Sequence, residues 1–363
     1  MHILTLCRLT TLKVYDHLLP LLMNEGVEQM TLARYASLPR PLPKLTQLAF
    51  ADDSAGGSDG LPILRRLKNQ WDLFWLALQT ARREQPQVIY GIFFTTNGVM
   101  AWIIGRLLGK KVMITCIGTD LNKHIFEYRL GFPLRWIARH SDVVTVFDEA
   151  SRQRLIGLGV AAECVYTIPH GIAMERFPIA EQTKTIEAVY TGMLVDLKEL
   201  QRLIAAWRLV VDRLPQAQLV LVGDGVLRAD LEAQTRSLGL QGNITFTGWV
   251  DTVADYLAQA KIFCNVANQE GVPHSMLEAM AVGLVPVMTS VGGVPSVIQD
   301  GVNGFLVANP AEPAQVAQQI LCLLQDDSLY QTMRQAALAV RHTYTYAQVS
   351  QTWTPVLAAL QGH

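Results

Sequence analysis

The stretch Gln269–Gly283, QEGVPHSMLEAMAVG, sets two carboxylates, Glu270 and Glu278, on either side of a turn-forming GVPHS. Two chemistries suit that spacing. Ser275 and Glu278 match an S-x-x-E capping box, in which serine caps a helix and glutamate reaches back to the cap's own N–H. Glu270 is then a solvated loop residue. Alternatively, the helix opening near His274 offers its first free N–H groups, from His274, Ser275, Met276 and Leu277, to an anion, with the positive end of its dipole behind them. A carboxylate such as Glu278 accepts hydrogen bonds only and suits two adjacent hydroxyls. The spacing alone leaves both readings open.

Other chemistry-bearing residues follow short apolar runs in the same half of the chain. TIEAVYTG leads to Lys198, AQLVLVG to Gly223-Asp224-Gly225, NITFTG to Trp249-Val250, and KIFCNV to Glu270. Lys198 brings a compact positive charge, and Gly223 and Gly225 let the backbone approach a ligand closely. A cation, exposed peptide N–H groups and a diol-binding carboxylate describe a site for a nucleotide sugar.

These turns need a scaffold. Apolar runs alternate with helical segments throughout, the pattern of a parallel sheet with crossover helices. The first half supplies the strands HILTLC, EQMTLA, QVIYGIF, KVMITC, DVVTVF and CVYTIP; the second ends its series with LVPVMT and GFLV. Helices are expected at 62–84, 97–108, 124–140, 198–212, 226–239, 251–259, 275–282 and 311–325, and a last one from Tyr346 to Leu360. Residues 37–60, rich in Pro, Gly, Ser and Asp, read as a long mobile loop. Two doubly wound domains are expected, divided near PHGIAMERFP. In such sheets ligands lie beyond the carboxyl ends of the strands, where all four turns fall.

Composition excludes several classes. The chain of 363 residues is half hydrophobic with a net charge of −1, which argues against a broad basic surface for nucleic acid. Residues 1–175 hold 19 Lys+Arg against 15 Asp+Glu and residues 176–363 hold 11 against 16, so the first half suits an anionic or membrane-bound partner better. The five cysteines are scattered without C-x-x-C spacing, so neither a disulfide framework nor a zinc site is signalled. The N-terminal MHILTLCRL is too short in apolar residues for a signal peptide, and GVMAWIIGRLLGKKVMITCIG is interrupted by Arg106, Lys110 and Lys111. A cytoplasmic protein is expected, with any membrane contact at the inner face through the basic, tryptophan-bearing helix 62–84. The bland alternative is a helix packed on its own sheet.

The block NQEGVPHSMLEAMAVGLVPVMTSVGGVPSVIQDGVNGFLV resembles the signature region of family 4 retaining glycosyltransferases. IPHGIAMERF, VGDGVLRADLE and LKELQRLIAAW extend the likeness over most of the chain, while the N-terminal half matches mainly in strand order. The resemblance implies an α/β protein of the GT-B fold, with two facing Rossmann-like doubly wound domains and a C-terminal helix returning to the first. Residues 1–172 would bind the acceptor, 173–345 the nucleotide sugar, and 346–363 would pack back on the N-terminal domain. It implies a catalytic set of Glu270 near the reacting sugar carbon, Lys198 on the leaving diphosphate, and Asp120 in the acceptor-side loop TCIGTDLN. Donor contacts would come from Gly223, Gly225, Val250, Gly271, His274, Ser275, Met276, Leu277 and Glu278, the last on the ribose hydroxyls. No metal and no cofactor are expected, and the chain has no D-x-D motif. The implied reaction moves a sugar from a nucleoside diphosphate, UDP ahead of GDP, to a lipid-linked, polysaccharide or small-molecule acceptor in envelope or exopolysaccharide synthesis.

The chain departs from the family pattern at three places. Met193 stands where the family has an arginine five residues before the lysine, a loss worth about 1.5–3 kcal/mol or about one to two orders of magnitude in donor binding or leaving-group stabilisation. Ile117, rather than histidine, precedes Gly118, with His124 nearby, and LCRLTTLKVYDHL replaces an N-terminal double-glycine loop. A non-catalytic nucleotide-sugar-binding or scaffold subunit is therefore the alternative. A dinucleotide-dependent oxidoreductase would need G-x-G-x-x-G after the first strand, where the chain has LTLCRLTTLK. Sugar-nucleotide epimerases also use two such domains, but the Glu270 block argues for transfer.

Overall fold

The apolar runs build two parallel sheets, each in its own unit: Met1–Gly171 with Tyr346–His363, and Ile172–Thr345. The computed structural model describes residues 1–7, 13–34, 38, 40–49, 62–117, 121, 124–126, 131–179 and 184–362. Asp120, Gly118 and the N-terminal loop after Cys7 lie outside these.

In the first unit β1 (His2–Leu6), β2 (Gln29–Arg34), β3 (Leu45–Ala49), β4 (Val88–Ile92), β5 (Lys111–Thr115), β6 (Val143–Val146) and β7 (Val165–Thr167) form one sheet in the order β3-β2-β1-β4-β5-β6-β7. All its pairings are parallel. Every residue of β4 and β6 is buried, as strands covered on both faces require. Side-chain alternation then assigns the helices to faces. Ile89 points to the layer holding Leu73 and Ala77 of the helix Pro62–Glu84. Val112 and Ile114 meet Leu134 and Ile137 of the helix Gly131–Arg139 on that face. Tyr90 points the other way, into a core shared with Leu18 of the helix Lys13–Met23 and Trp353 of the helix Tyr346–Gln361. The last helix therefore completes the first unit's core from the far end of the chain.

The second unit repeats the plan. β8 (Ile186–Thr191), β9 (Leu219–Val222), β10 (Ile244–Gly248), β11 (Ala260–Asn265), β12 (Val285–Thr289) and β13 (Phe305–Val307) take the order β10-β9-β8-β11-β12-β13. Its core gathers around the fully buried Trp207 of the helix Leu200–Val211. In both sheets the order reverses beside the first strand, between β1 and β4 and between β8 and β11. At such a reversal the crossovers diverge to opposite faces and leave a crevice at the strand ends.

All twelve strands expected from sequence form, and one further strand was unforeseen. β3 pairs with β2 in register Met30↔Leu45 through Arg34↔Ala49, inside the segment read as a loop. Its flanking prolines disguised an edge strand, where Pro is tolerated. The helix expected at 124–140 is, among the described residues, a short turn His124–Phe126 and then Gly131–Arg139. The helices Lys13–Met23 and Glu149–Gly157 fill crossovers between expected strands for which the sequence offered no bounds, and Asp327–Ala337 and Val340–Thr343 were not expected; Pro20 inside the first masks its periodicity. Among the described residues, no helix is long and apolar enough to cross a membrane.

A buried polar chain ties the first sheet to the helix Lys13–Met23. His17 Nε2 bonds Tyr90 Oη at 2.8 Å, Tyr90 Oη bonds Thr115 Oγ1 at 2.6 Å, and Thr115 bonds Thr145 at 2.5 Å. Burial lowers the His17 pKa from 6.5 to about 4, so the ring stays neutral. Between those values the unfolded chain binds more protons than the folded one. Stability from this site is thus complete above pH 6.5 and falls as pH drops towards about 4. Thermal unfolding of His17→Gln should show a flatter pH dependence across that window than wild type; equal slopes would contradict the assignment.

Candidate functional site

The turn after β8 and the turn after β11 face each other across the reversal in the second sheet. β8 ends at Thr191, and the chain passes Gly192 and Met193 into one 3-10 turn, Asp196–Lys198. Glu199 then adopts a left-handed conformation at φ 50° before the helix Leu200–Val211 begins. That strained residue is held on two sides: Asn268 Nδ2 donates to its Oε1 at 3.0 Å and Arg202 Nε to its Oε2 at 2.9 Å. Asn268 N also donates to Leu197 O at 3.0 Å, so the two turns are stitched together through side chain and backbone.

The stitching brings Lys198 onto Glu270. Lys198 Nζ donates to Glu270 Oε1, and Asn265 Nδ2 donates to the same oxygen at 2.9 Å. The two charged side chains are 20% and 13% exposed, so the pair is shielded but reachable. Asn265 is buried at the carboxyl end of β11. Tyr190, near the end of β8, donates its hydroxyl to Met193 O at 2.9 Å. Burial first, and then the charge of Glu270, push its pKa up, so it remains a donor.

Glycines shape these turns. A Cβ on Gly223, where φ is +139°, would fall 1.9 Å from Gly192 O, and one on Gly225 would fall 2.3 Å from Leu194 O. The backbone there zips together: Gly192 N to Val222 O at 2.9 Å, Leu194 N to Asp224 O at 2.9 Å, and Leu227 N to Leu194 O at 3.1 Å. The two glycines thus permit one turn to approach another, beyond the ligand approach read from sequence. Asp224 serves its own turn, accepting from Gly225 N at 2.7 Å and from Arg228 at 3.2 Å. Gly223 N bonds Gly248 O at 3.0 Å, which puts Val250 just beyond the same edge. Gly292, in the turn after β12, supports the Glu270 backbone; a Cβ there would lie 1.7 Å from Glu270 O. Gly293 N bonds Gly271 O at 3.1 Å.

The helix His274–Ala281 starts beside this pair, and its start differs from the capping box considered above. Pro273 occupies the cap position and no side chain caps the helix; Ser275 is already the second helical residue. Pro273 is extended, as a cap residue is, and the S-x-x-E box therefore starts two residues past the cap. Leu277 N is used, donating to Pro273 O at 3.4 Å. The groups without an intrahelical acceptor are those of His274, Ser275 and Met276. Met276 and Leu277 bury their side chains completely, so Met276 offers the site only backbone. Ser275 and Glu278 are partly exposed.

Lys198, Gly223 with Gly225, and Glu270 with Gly271 therefore gather on three packed turns, after β8, β9 and β11, and the helix His274–Ala281 follows Glu270 in the chain. Asp120 lies outside the described residues. Met193 is 62% exposed, and Arg202 is committed to Glu199 and to Ala311 O at 3.2 Å, so it does not stand in for the missing arginine. Sequence reasoning missed Asn265, Asn268 and Tyr190. A polar residue closing an apolar strand at the reversal was the available signal for Asn265. Among the described residues no three His, Cys, Asp or Glu side chains form a metal-binding cluster.

Comparison with known proteins places the chain as a whole. Residues 172–340 match the family described as Glycosyl transferases group 1, and residues 29–176 match Glycosyltransferase Family 4. The chain is 26% identical over 273 residues to N-acetyl-alpha-D-glucosaminyl L-malate synthase of Bacillus anthracis, covering 71% of each. It is 30% identical over 158 residues to the lipopolysaccharide core biosynthesis glycosyltransferase LpsE of Rhizobium meliloti, covering 44% of this chain and 45% of that one. Among solved structures, Anabaena HepE in complex with UDP-glucose superposes with a TM-score of 0.77 at 19% identity, over 99% of this chain and 100% of that one.

The Lys198–Glu270 pair carries a stability prediction. Removing either charge strands the other in a shielded site, so Lys198→Met or Glu270→Gln should each cost about 1–3 kcal/mol. The double variant should cost less than the sum, measured by urea unfolding as a mutant cycle. Additive losses would show that the two groups are not coupled.

Proposed function

The chain belongs to the family 4 glycosyltransferases of the GT-B fold, and from that premise we propose that it transfers a sugar from a UDP-sugar, with retention of anomeric configuration and without a metal ion. The observation carrying the proposal is the Lys198–Glu270 pair beside the uncapped start of the helix His274–Ala281. An ammonium and oriented peptide N–H groups at one point match the charge that develops on a leaving diphosphate.

In the proposed reaction the bond from the anomeric carbon to the diphosphate oxygen breaks, and UDP departs with the electron pair. The acceptor hydroxyl oxygen bonds to that carbon from the same face, and its proton passes to the leaving phosphate oxygen. Lys198 and the N–H groups of His274, Ser275 and Met276 stabilise the leaving group. Glu270, fixed by Asn265, lines the sugar, and Glu278 accepts from the ribose hydroxyls. Donors placed at the diphosphate assign catalysis in this reading to stabilisation of the leaving group. UDP is favoured because HepE was solved with UDP-glucose. An envelope or exopolysaccharide acceptor is favoured by the role named for LpsE.

The alternative, a binding subunit without turnover, draws on Met193. Lys198→Ala should lower kcat/KM by at least about tenfold, the worth of a charge-assisted hydrogen bond. Met193→Arg should raise it by a similar factor. Turnover should survive chelators, and NMR of the product should show the donor's anomeric configuration. An inverted product would end the retaining mechanism; donor binding without transfer to any acceptor would favour the subunit.

A further inference from the structure

Transfer from a nucleotide sugar asks two things of Lys198 at once. Its Nζ donates to Glu270 Oε1, and the leaving diphosphate of the proposed reaction draws on the same ammonium. Once Lys198 turns to phosphate, Glu270 rests on Asn265 Nδ2 at 2.9 Å. The carboxylate is only 13% exposed, and a shielded charge that loses its partner is strongly disfavoured. Asn265 cannot tighten its hold. It is 1% exposed, and its Oδ1 accepts from Ala267 N at 3.2 Å, which fixes the orientation of the amide. The other polar groups nearby are engaged: Tyr190 Oη donates to Met193 O, and Asn268 Nδ2 donates to Glu199.

Thr191 holds a donor in reserve. β8 ends at Thr191 and β11 at Asn265; Val189 pairs with Phe263, and each strand runs two residues further. Side chains alternate along a strand, so Thr191 and Asn265 leave the sheet on the same face, on neighbouring strands about 4.8 Å apart. The Thr191 hydroxyl therefore stands beside the amide that reaches Glu270. Thr191 is 6% exposed, and its Oγ1 is buried with no hydrogen-bond partner among the described residues. A hydroxyl in that condition lowers stability, and valine, nearly the same in shape, would pack there without the penalty. Packing alone thus gives no reason for threonine, whereas the exchange at Lys198 does. We propose that Thr191 is a positioning residue that donates to Glu270 when the diphosphate draws Lys198 away. The ammonium passes from carboxylate to phosphate, the hydroxyl takes its place on Glu270, and the carboxylate keeps its position beside the sugar. This inference rests on the donor reading above and adds to it the residue that lets Lys198 change partners.

Two measurements on the full chain test it. Lys198→Met removes the ammonium without any donor, so the exchange can be read from stability. Thr191→Val should leave the melting temperature of the wild-type protein unchanged or higher, yet lower it in the Lys198→Met background, where the hydroxyl already serves Glu270. Titration calorimetry with UDP-glucose should give a dissociation constant about tenfold weaker for Thr191→Val than for wild type, the worth of a hydrogen bond to a charged group. Thr191→Ser keeps the hydroxyl and should bind UDP-glucose within about threefold of wild type. Should Lys198→Met fail to fold, the calorimetry still decides. A stability loss from Thr191→Val as large in the wild type as in Lys198→Met would mark the hydroxyl as structural and overturn the proposal. So would wild-type affinity for UDP-glucose in Thr191→Val, which leaves the donor reading standing. A wild-type protein that binds no UDP-glucose would end the donor reading itself, and this inference with it.

Discussion

The arrangement of the second unit depends on a charged pair made across a reversal of strand order. Lys198 comes from the turn after β8 and Glu270 from the turn after β11, far apart in sequence and neighbours in the sheet. The parallel pairing of β8 with β11 makes them adjacent. The same reversal leaves a crevice at the strand ends, because crossovers on either side of it run to opposite faces. The topology therefore creates both the opening and the charged pair that lines it.

Much of the remaining detail keeps that pair in place. Asn265 fixes the carboxylate from within β11, while Asn268 clamps Glu199, the strained residue following Lys198. Gly223, Gly225 and Gly292 carry no side chains because backbone from a neighbouring turn occupies the space, and at Gly192 the Tyr190 hydroxyl does. Lys198 and Glu270 are consequently presented by turns with little freedom to move apart. Preorganised charge is what stabilisation of a leaving group requires, since no reorganisation is then needed as the bond breaks.

The sequence disclosed this design unevenly. Strands read easily, since a parallel strand buried on both faces is a continuous apolar run, as in LVLV and VPVMT. Lys198 and Glu270 were legible because charged groups stood just beyond such runs. Edge strand β3 was obscured by Pro41 and Pro43, which read as loop punctuation but are tolerated at a sheet margin. The capping box failed for a local reason: S-x-x-E is satisfied in letters, yet Pro273 starts the helix before Ser275. Asn265 and Asn268 were invisible because their roles depend on which strand lies next to β11, and periodicity along one segment says nothing about that.

The central claim, that a sugar nucleotide's diphosphate sits where β8 and β11 end, is tested most directly by a crystal structure with a UDP-sugar bound. The account predicts phosphate oxygens within hydrogen-bonding distance of Lys198 Nζ and of the N–H groups of His274, Ser275 and Met276. A diphosphate bound elsewhere in the chain, or density at those strand ends that leaves Lys198 paired only with Glu270, would contradict it.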